Sequence, residues 1–93
     1  MNRSLVTTPA FSRAARKYLK KHPQQAQAIE TCLRLLELDA FDSRLKTHKL
    51  QGNLNGVWAC SAGFDLRILF EFVTHEDQEA ILLLTVGSHD EVY

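Results

Sequence analysis

The chain has 93 residues, of which 45% are apolar and 24% are charged, and its formal net charge is zero, so we expect a single domain over residues 1–93. This composition argues against general disorder, and no apolar run is long enough to span a membrane or to act as a secretory signal. We therefore expect a soluble, cytoplasmic protein with no membrane partner.

The first half of the chain predicts a short strand followed by two helices. Residues 3–7 favour the strand, and Thr8-Pro9 then starts a helix, with the threonine as the N-cap and the proline at the first helical position. Pro23 is expected to open the second helix, and the two helices are close enough in sequence to form an antiparallel hairpin. Each helix has one apolar face, which needs a partner surface. The apolar positions are Phe11, Ala14, Ala15, Tyr18 and Leu19 in the first helix and Ala26, Ile29, Cys32, Leu33 and Leu36 in the second.

Charge is distributed unevenly along the chain. Residues 1–49 hold ten Lys/Arg and four Asp/Glu, whereas residues 50–93 hold one Arg and seven Asp/Glu. A basic cluster on one helix can face phosphate groups or an acidic protein, but without other evidence a solvated helix face is the favoured interpretation. The cluster consists of Arg13, Arg16, Lys17, Lys20, Lys21 and His22.

The second half predicts a three-stranded antiparallel meander. After a polar stretch over residues 39–56, strands are expected at residues 57–61, 64–73 and 80–86, with turns at 62–63 and 74–79. The middle strand alternates most clearly, so that one face is core and the other carries Asp65 and Arg67. We expect the helices to cover the core face and the N-terminal strand to join the sheet. The core face of this strand consists of Phe64, Leu66, Ile68, Phe70 and Phe72.

Two other residue types receive structural interpretations. Cys32 and Cys60 form no CxxC pair and are too few for a disulfide framework, so we expect buried thiols. Trp58 can stack on a base, but its alternation with Cys60 favours burial in the core.

Titratable residues from separate segments indicate a candidate site. Gly87 is expected to end the last strand, and His89 follows it. His48 lies in the polar stretch beside Lys46 and Lys49. A histidine can exchange protons near neutral pH, a nearby carboxylate such as that of Asp65 can orient it, and the Arg67 guanidinium suits a phosphate.

This set of groups suits RNA cleavage by acid–base chemistry that requires no metal and no cofactor. The simpler alternative is an Asp65–Arg67 ion pair on an open sheet together with two surface histidines. A metal site formed by His48, His89 and Asp65 is less favoured, because no closely spaced ligand pair is present.

Four segments, in this order and spacing, resemble the RelE/ParE toxin superfamily, and most closely the YafQ-like mRNA interferases. They are His48-Lys49-Leu50-Gln51-Gly52, Leu54-Asn55-Gly56, Asp65-Leu66-Arg67-Ile68-Leu69-Phe70 and Gly87-Ser88-His89-Asp90-Glu91-Val92-Tyr93. The resemblance implies a small α+β domain, with an N-terminal strand and a helix hairpin packed on a twisted, mostly antiparallel sheet. It also implies a type II toxin that cuts mRNA in the ribosomal A site and is inhibited by a cognate antitoxin.

The resemblance also assigns residues. His48, Asp65 and His89 match the family's loop histidine, strand aspartate and terminal histidine, and Tyr93 matches its closing aromatic residue. Two positions depart from the pattern: Ser61 stands where a second histidine is expected and Thr85 where an arginine is expected. We infer that Arg67 replaces that cation.

Basic residues of the first helix and of the polar stretch would then contact RNA or the ribosome. They are Arg13, Arg16, Lys17, Lys20, Lys21, Lys46 and Lys49. Which histidine is the acid and which the base stays open. The alternatives are a ParE-like topoisomerase inhibitor, a degenerate toxin that only binds an antitoxin, and a structural module without a site.

Overall fold

The computed structural model describes residues 2–52, 56–63 and 65–93, and within them the chain forms an α+β fold, as predicted. The sheet order is β1-β5-β4-β3-β2, with β1 parallel to β5 and every other pair antiparallel. The elements are β1 (Ser4–Val6), α1 (Pro9–Lys21), α2 (Ala26–Leu38), β2 (His48–Lys49), β3 (Trp58–Ala62), β4 (Leu66–His75), β5 (Gln78–Ser88) and α3 (His89–Val92).

Thr8 starts α1 as the sequence predicts. Its side-chain oxygen accepts a hydrogen bond from the backbone N–H of Phe11 at 3.0 Å, and Pro9 occupies the first turn. The same hydroxyl donates to the backbone carbonyl of Leu83 at 2.8 Å. One side chain therefore caps the helix and ties its start to β5.

Pro23 does not open the second α-helix directly, which corrects the predicted boundary. Pro23–Gln25 forms a 3₁₀ turn, and α2 begins at Ala26. Proline still occupies the first position of this turn, where its missing N–H costs nothing. The two helices then pack on different strands, α1 on β5 and α2 on β3.

The helices and one face of the sheet enclose a single apolar core, as predicted. Leu66, Ile68 and Phe70 of β4 are buried in it, and Phe72 packs against it. Trp58 is half-buried against the same cluster, in edge contact with Phe72 at 5.1 Å between ring centroids. Phe64, the remaining predicted core position of this strand, lies outside the described residues, as do the motif residues Leu54 and Asn55.

The cysteine prediction is confirmed. Cys32 on α2 and Cys60 on β3 are free, buried thiols with their sulfur atoms 3.5 Å apart. The hydrogen bond with Cys32, followed by burial, raises the pKa of the Cys60 thiol.

The hairpin between β4 and β5 is longer and tighter than predicted. His75 pairs with Gln78, so the turn consists of Glu76 and Asp77 alone instead of residues 74–79. Both turn residues have positive φ, 53° and 64°, which is the backbone of a type I′ hairpin. The sequence signal was missed because this turn type usually takes Asn and Gly.

Gly87 does not break the last strand, which is a second correction. It pairs with Arg67 inside β5, and the strand continues to Ser88. A Cβ on Gly87 would lie 3.0 Å from Glu91 Oε1, so the glycine permits the close return of α3 over the strand.

Candidate active site

The face of the sheet opposite α1 and α2 brings candidate residues together. Cross-strand partners project to the same face, and on this face one row joins His48, Ala59, Leu69 and Thr85 across four strands. The next row along the strands joins Ser61, Arg67 and Gly87. We call this surface, defined by these two rows, the open face.

His48 lies on the two-residue strand β2. The sequence predicts a polar stretch over residues 39–56 and no strand there. Its Nδ1 is 2.9 Å from the backbone carbonyl oxygen of Lys46. A carbonyl oxygen can only accept, so Nδ1 carries the hydrogen, and in the neutral ring the lone pair is on Nε2. The backbone of Lys46 is left-handed, with φ of 53°, and holds that carbonyl in place.

Tyr93 lies between the two histidines. Its hydroxyl is 3.5 Å from His48 Nε2, and its ring contacts the His89 ring edge-to-face, with 4.5 Å between the ring centroids. Tyr93 is 45% exposed, so the group is open to a substrate. Burial is the main cause that raises the pKa of the Tyr93 hydroxyl, and the charge of Arg67 acts in the opposite direction. The structure therefore brings His48, Tyr93 and His89 together, within reach of the charge of Arg67.

Arg67 is half-buried in the middle of the open face. Its Nη1 donates to the backbone carbonyl of Leu66 at 3.1 Å. A guanidinium carries five N–H donors, so this contact leaves capacity for a phosphate. Ser61, one of the two departures from the family pattern, is its cross-strand partner.

Asp65 is placed differently from the other candidates. The sequence predicted it on the exposed face of the strand, but it lies in the turn before β4, because that strand begins at Leu66. Its backbone carbonyl accepts from the N–H of His89 at 3.1 Å. Burial raises the pKa of Tyr18 on α1, and the charges of Asp65 and Glu91 raise it further. The orientation of a histidine by the Asp65 carboxylate stays a prediction.

His89 is the first residue of the one-turn helix α3, which the sequence prediction did not include. Ser88 and Glu91 form a capping box, in which each side chain accepts a hydrogen bond from the other residue's backbone N–H. The Ser-x-x-Glu spacing of residues 88–91 is the sequence signal for this motif, so the capped turn could have been predicted from the sequence.

The predicted RNA-binding residues lie on α1 and in and beside β2. The basic residues of α1 are exposed on the helix side of the sheet. On β2, Lys49 projects away from His48 and places its ammonium group 5.5 Å from the centroid of the Trp58 ring. Lys46 contributes its carbonyl to His48 while its side chain is exposed. The α1 residues are Arg13, Arg16, Lys17, Lys20 and Lys21.

Two further observations concern the described part of the chain. No three His, Cys, Asp or Glu side chains there are grouped closely enough to hold a metal ion. No helix there is both long enough and apolar enough to cross a membrane.

Solved structures define the class of this fold. A chain of the E. coli DinJ–YafQ toxin–antitoxin complex is 15% identical with a TM-score of 0.77, and the match covers 100% of this chain and 99% of that chain. YafQ from E. coli is 14% identical with a TM-score of 0.79, covering 98% of each chain. The YoeB/ParE toxin from Agrobacterium tumefaciens is 15% identical with a TM-score of 0.74, covering 92% of this chain and 98% of that one. The fold is therefore that of the RelE-superfamily toxins.

The sequence assigns the family within this class. The family model described as "bacterial toxin of type II toxin-antitoxin system, YafQ" matches residues 3–93. The chain therefore belongs to the YafQ family of toxins of type II toxin–antitoxin systems. No curated protein sequence matches it.

Proposed function

We propose that this toxin is a ribosome-dependent endoribonuclease that cuts mRNA, with residues 1–93 acting as a single toxin domain. The observation that carries the proposal is the array on the open face, where the Tyr93 hydroxyl is 3.5 Å from His48 Nε2 and the Tyr93 ring is 4.5 Å from the His89 ring. Two imidazoles within reach of one substrate supply both a base and an acid, and Arg67 lies in the next row of the open face.

The tautomer of His48 suits it to act as the base. Its Nδ1–H is bound to the Lys46 carbonyl, so its Nε2 lone pair can accept the proton of the ribose 2′-OH. The 2′-oxygen then forms a bond to phosphorus while the bond from phosphorus to the 5′-oxygen breaks. The leaving 5′-oxygen takes a proton from His89, which leaves a 2′,3′-cyclic phosphate and a 5′-hydroxyl.

Arg67 and Tyr93 support this displacement. The guanidinium of Arg67 would bind the scissile phosphate and stabilise the charge that grows on its oxygens. Tyr93 would pack on the substrate beside His48, and its hydroxyl would accept the Nε2–H once His48 has taken the proton. Asp65 would position His89 through its backbone carbonyl, 3.1 Å from the His89 N–H.

Partners follow from the same proposal. The basic residues of α1 together with Lys46 and Lys49 would contact RNA phosphates on the ribosome, which requires a cytoplasmic location. The E. coli relative has been crystallised as a DinJ–YafQ toxin–antitoxin complex, which supports a cognate antitoxin as the partner of this chain.

The direct test replaces each histidine by alanine and measures cleavage of a translated mRNA by primer extension. We expect His48→Ala and His89→Ala each to lower the cleavage rate by about 100-fold or more, because each removes a proton-transfer group. His75→Ala, at the exposed hairpin turn, is the matched control and should cleave normally. Wild-type cleavage by either site variant, with the fold intact, would remove the mechanism.

A second candidate rests on a specific observation. Ser61 and Thr85 both lie on the open face, at the positions where the resemblance leads one to expect a histidine and an arginine. A ParE-like topoisomerase inhibitor or a toxin that only binds its antitoxin would tolerate these losses. A gyrase supercoiling assay run beside primer extension separates the two, since inhibition of supercoiling without mRNA cleavage would favour the second candidate.

A further inference from the structure

We propose that Glu91 is a positioning residue, which fixes the turn carrying His89 and Tyr93 by binding the Ser88 backbone with its carboxylate. This inference rests on the proposed ribonuclease function and deepens it, because it identifies what orients two of the site's groups.

Two reciprocal hydrogen bonds between Ser88 and Glu91 close the turn. Glu91 Oε1 accepts from the Ser88 N–H at 2.8 Å, and Ser88 Oγ accepts from the Glu91 N–H at 3.3 Å. The first N–H groups of a helix have no partner within it, and a helix of one turn is unstable by itself. These two hydrogen bonds therefore supply much of what holds α3 at the end of β5.

Glu91 packs closely on β5 at Gly87. A Cβ added to Gly87 would lie 3.0 Å from Glu91 Oε1 and 3.3 Å from both Glu91 Cβ and Val92 Cγ1. The turn therefore returns over β5 with almost no space between them. Contact on this side restricts the Glu91 side chain to the position in which it meets Ser88.

The neighbouring helix α1 carries positive charges that act on Glu91. The hydrogen bond from the Ser88 backbone lowers the pKa of Glu91, and the charges of Lys21 and Lys17 lower it further. Lys17, Glu91 and Val92 also line one cavity of about 160 Å³ between α1 and α3. Two lysines predicted to contact RNA, Lys17 and Lys21, thus also favour the charged form of the Glu91 carboxylate.

The link to the site is the spacing of its residues on the turn. His89 and Tyr93 are four residues apart, and the Tyr93 N–H donates to the His89 carbonyl at 3.1 Å. Any rotation of α3 therefore moves both rings, and with them the Tyr93 contact to His48. Displacement of a reacting group by about 1 Å can cost about 100-fold in rate.

The test compares two substitutions of Glu91. Glu91→Ala removes the acceptor, whereas Glu91→Gln keeps an amide oxygen that can still accept from Ser88. Glu37→Ala is the matched control, because within the described residues this exposed glutamate on α2 is bound through its backbone carbonyl, which the substitution keeps. Two experiments are run on each variant. Steady-state kinetics give kcat and KM for mRNA cleavage, and NMR gives the nuclear Overhauser contact between the rings of His89 and Tyr93.

We expect Glu91→Ala to lower kcat about tenfold with KM unchanged and to weaken the ring contact, while Glu91→Gln and Glu37→Ala keep both. Unchanged kcat and an intact ring contact in Glu91→Ala would overturn the inference. If the wild type cleaves no mRNA, the proposed function fails and the ring contact alone decides on Glu91. If Glu91→Ala does not fold, Glu91→Met decides, because it keeps the length of the side chain and removes the carboxylate that accepts from the Ser88 N–H; a weakened ring contact supports the inference and an unchanged one overturns it.

Discussion

The two faces of the sheet differ in what they contain and in how tightly they are held. On the helix side, Ile68 and Phe70 are fully buried, and all buried residues of the described chain are apolar. On the open face, Ala59 and Leu69 are buried as well, but His48 is exposed there, and its Nε2 is 3.5 Å from the hydroxyl of Tyr93, whose ring contacts that of His89. The difference indicates that the helix side carries most of the stability, whereas the open face is free to carry chemistry.

The largest expected effect is on the helix side. Phe70→Ala should lower the free energy of unfolding by about 3–5 kcal/mol, because it removes a fully buried ring and leaves a cavity. Urea denaturation measures this directly. His48→Ala on the open face should change stability by no more than about 0.5 kcal/mol in the same experiment. Similar losses from the two substitutions would erase the distinction between the faces.

The next effect concerns activity on the open face. Arg67→Ala should lower mRNA cleavage by about 100-fold, since the guanidinium is assigned to the charge that develops on the phosphate. Arg67→Lys should recover only part of that loss, because an ammonium group lacks the planar fork. Arg34→Ala, on the exposed surface of α2, is the control and should cleave normally. Full activity in Arg67→Ala would show that the phosphate is bound elsewhere.

A smaller effect tests the tyrosine. Tyr93→Phe should lower cleavage about fivefold, because it removes the hydroxyl next to His48 Nε2 and keeps the ring that contacts His89. Tyr18→Phe removes a hydroxyl on the helix side and should leave the rate unchanged. The same rate loss in both variants would show that the position of the hydroxyl on the open face is not what matters.

The smallest effect lies in the segment that leads into β2. Asp42 caps the Ser43–Leu45 turn and pairs with Arg44 at 2.8 Å, and the hydrogen bonds from Arg44 lower the pKa of Asp42 from 3.8 to about 2. Because the folded-state pKa is depressed, the contribution to stability is complete above about pH 5 and is lost as the pH falls through about 2. Asp42→Asn should flatten this part of the stability–pH curve, measured by thermal unfolding. An unchanged curve would contradict the assignment.

Local signals predicted the helix side well. Thr8 and Pro9 gave the start of α1, and the alternation of Leu66, Ile68 and Phe70 gave the buried face of β4. These features depend on neighbours in sequence, so the residue pattern contains them. The Glu76–Asp77 turn was missed because it needs two left-handed residues that are neither Asn nor Gly.

The open face was less predictable, since it depends on contacts between distant residues. The sequence pointed to His48, Arg67, His89 and Tyr93, but the contact between His48 and Tyr93 spans 45 residues and requires β2 to pair with β3. No local pattern marks a two-residue strand. The irregular pairing between Leu69 and Phe70 also shifts the register of β5, which alternation alone does not reveal.

The central claim is that the two histidines of the open face act on one phosphate, and a double-mutant cycle tests it most directly. Cleavage rates are measured for the wild type, His48→Ala, His89→Ala and the variant with both changes. If both groups serve one displacement, the double variant should be little slower than the slower single variant. Losses that add in full as free energies would mean that the two imidazoles act independently, and would contradict the account.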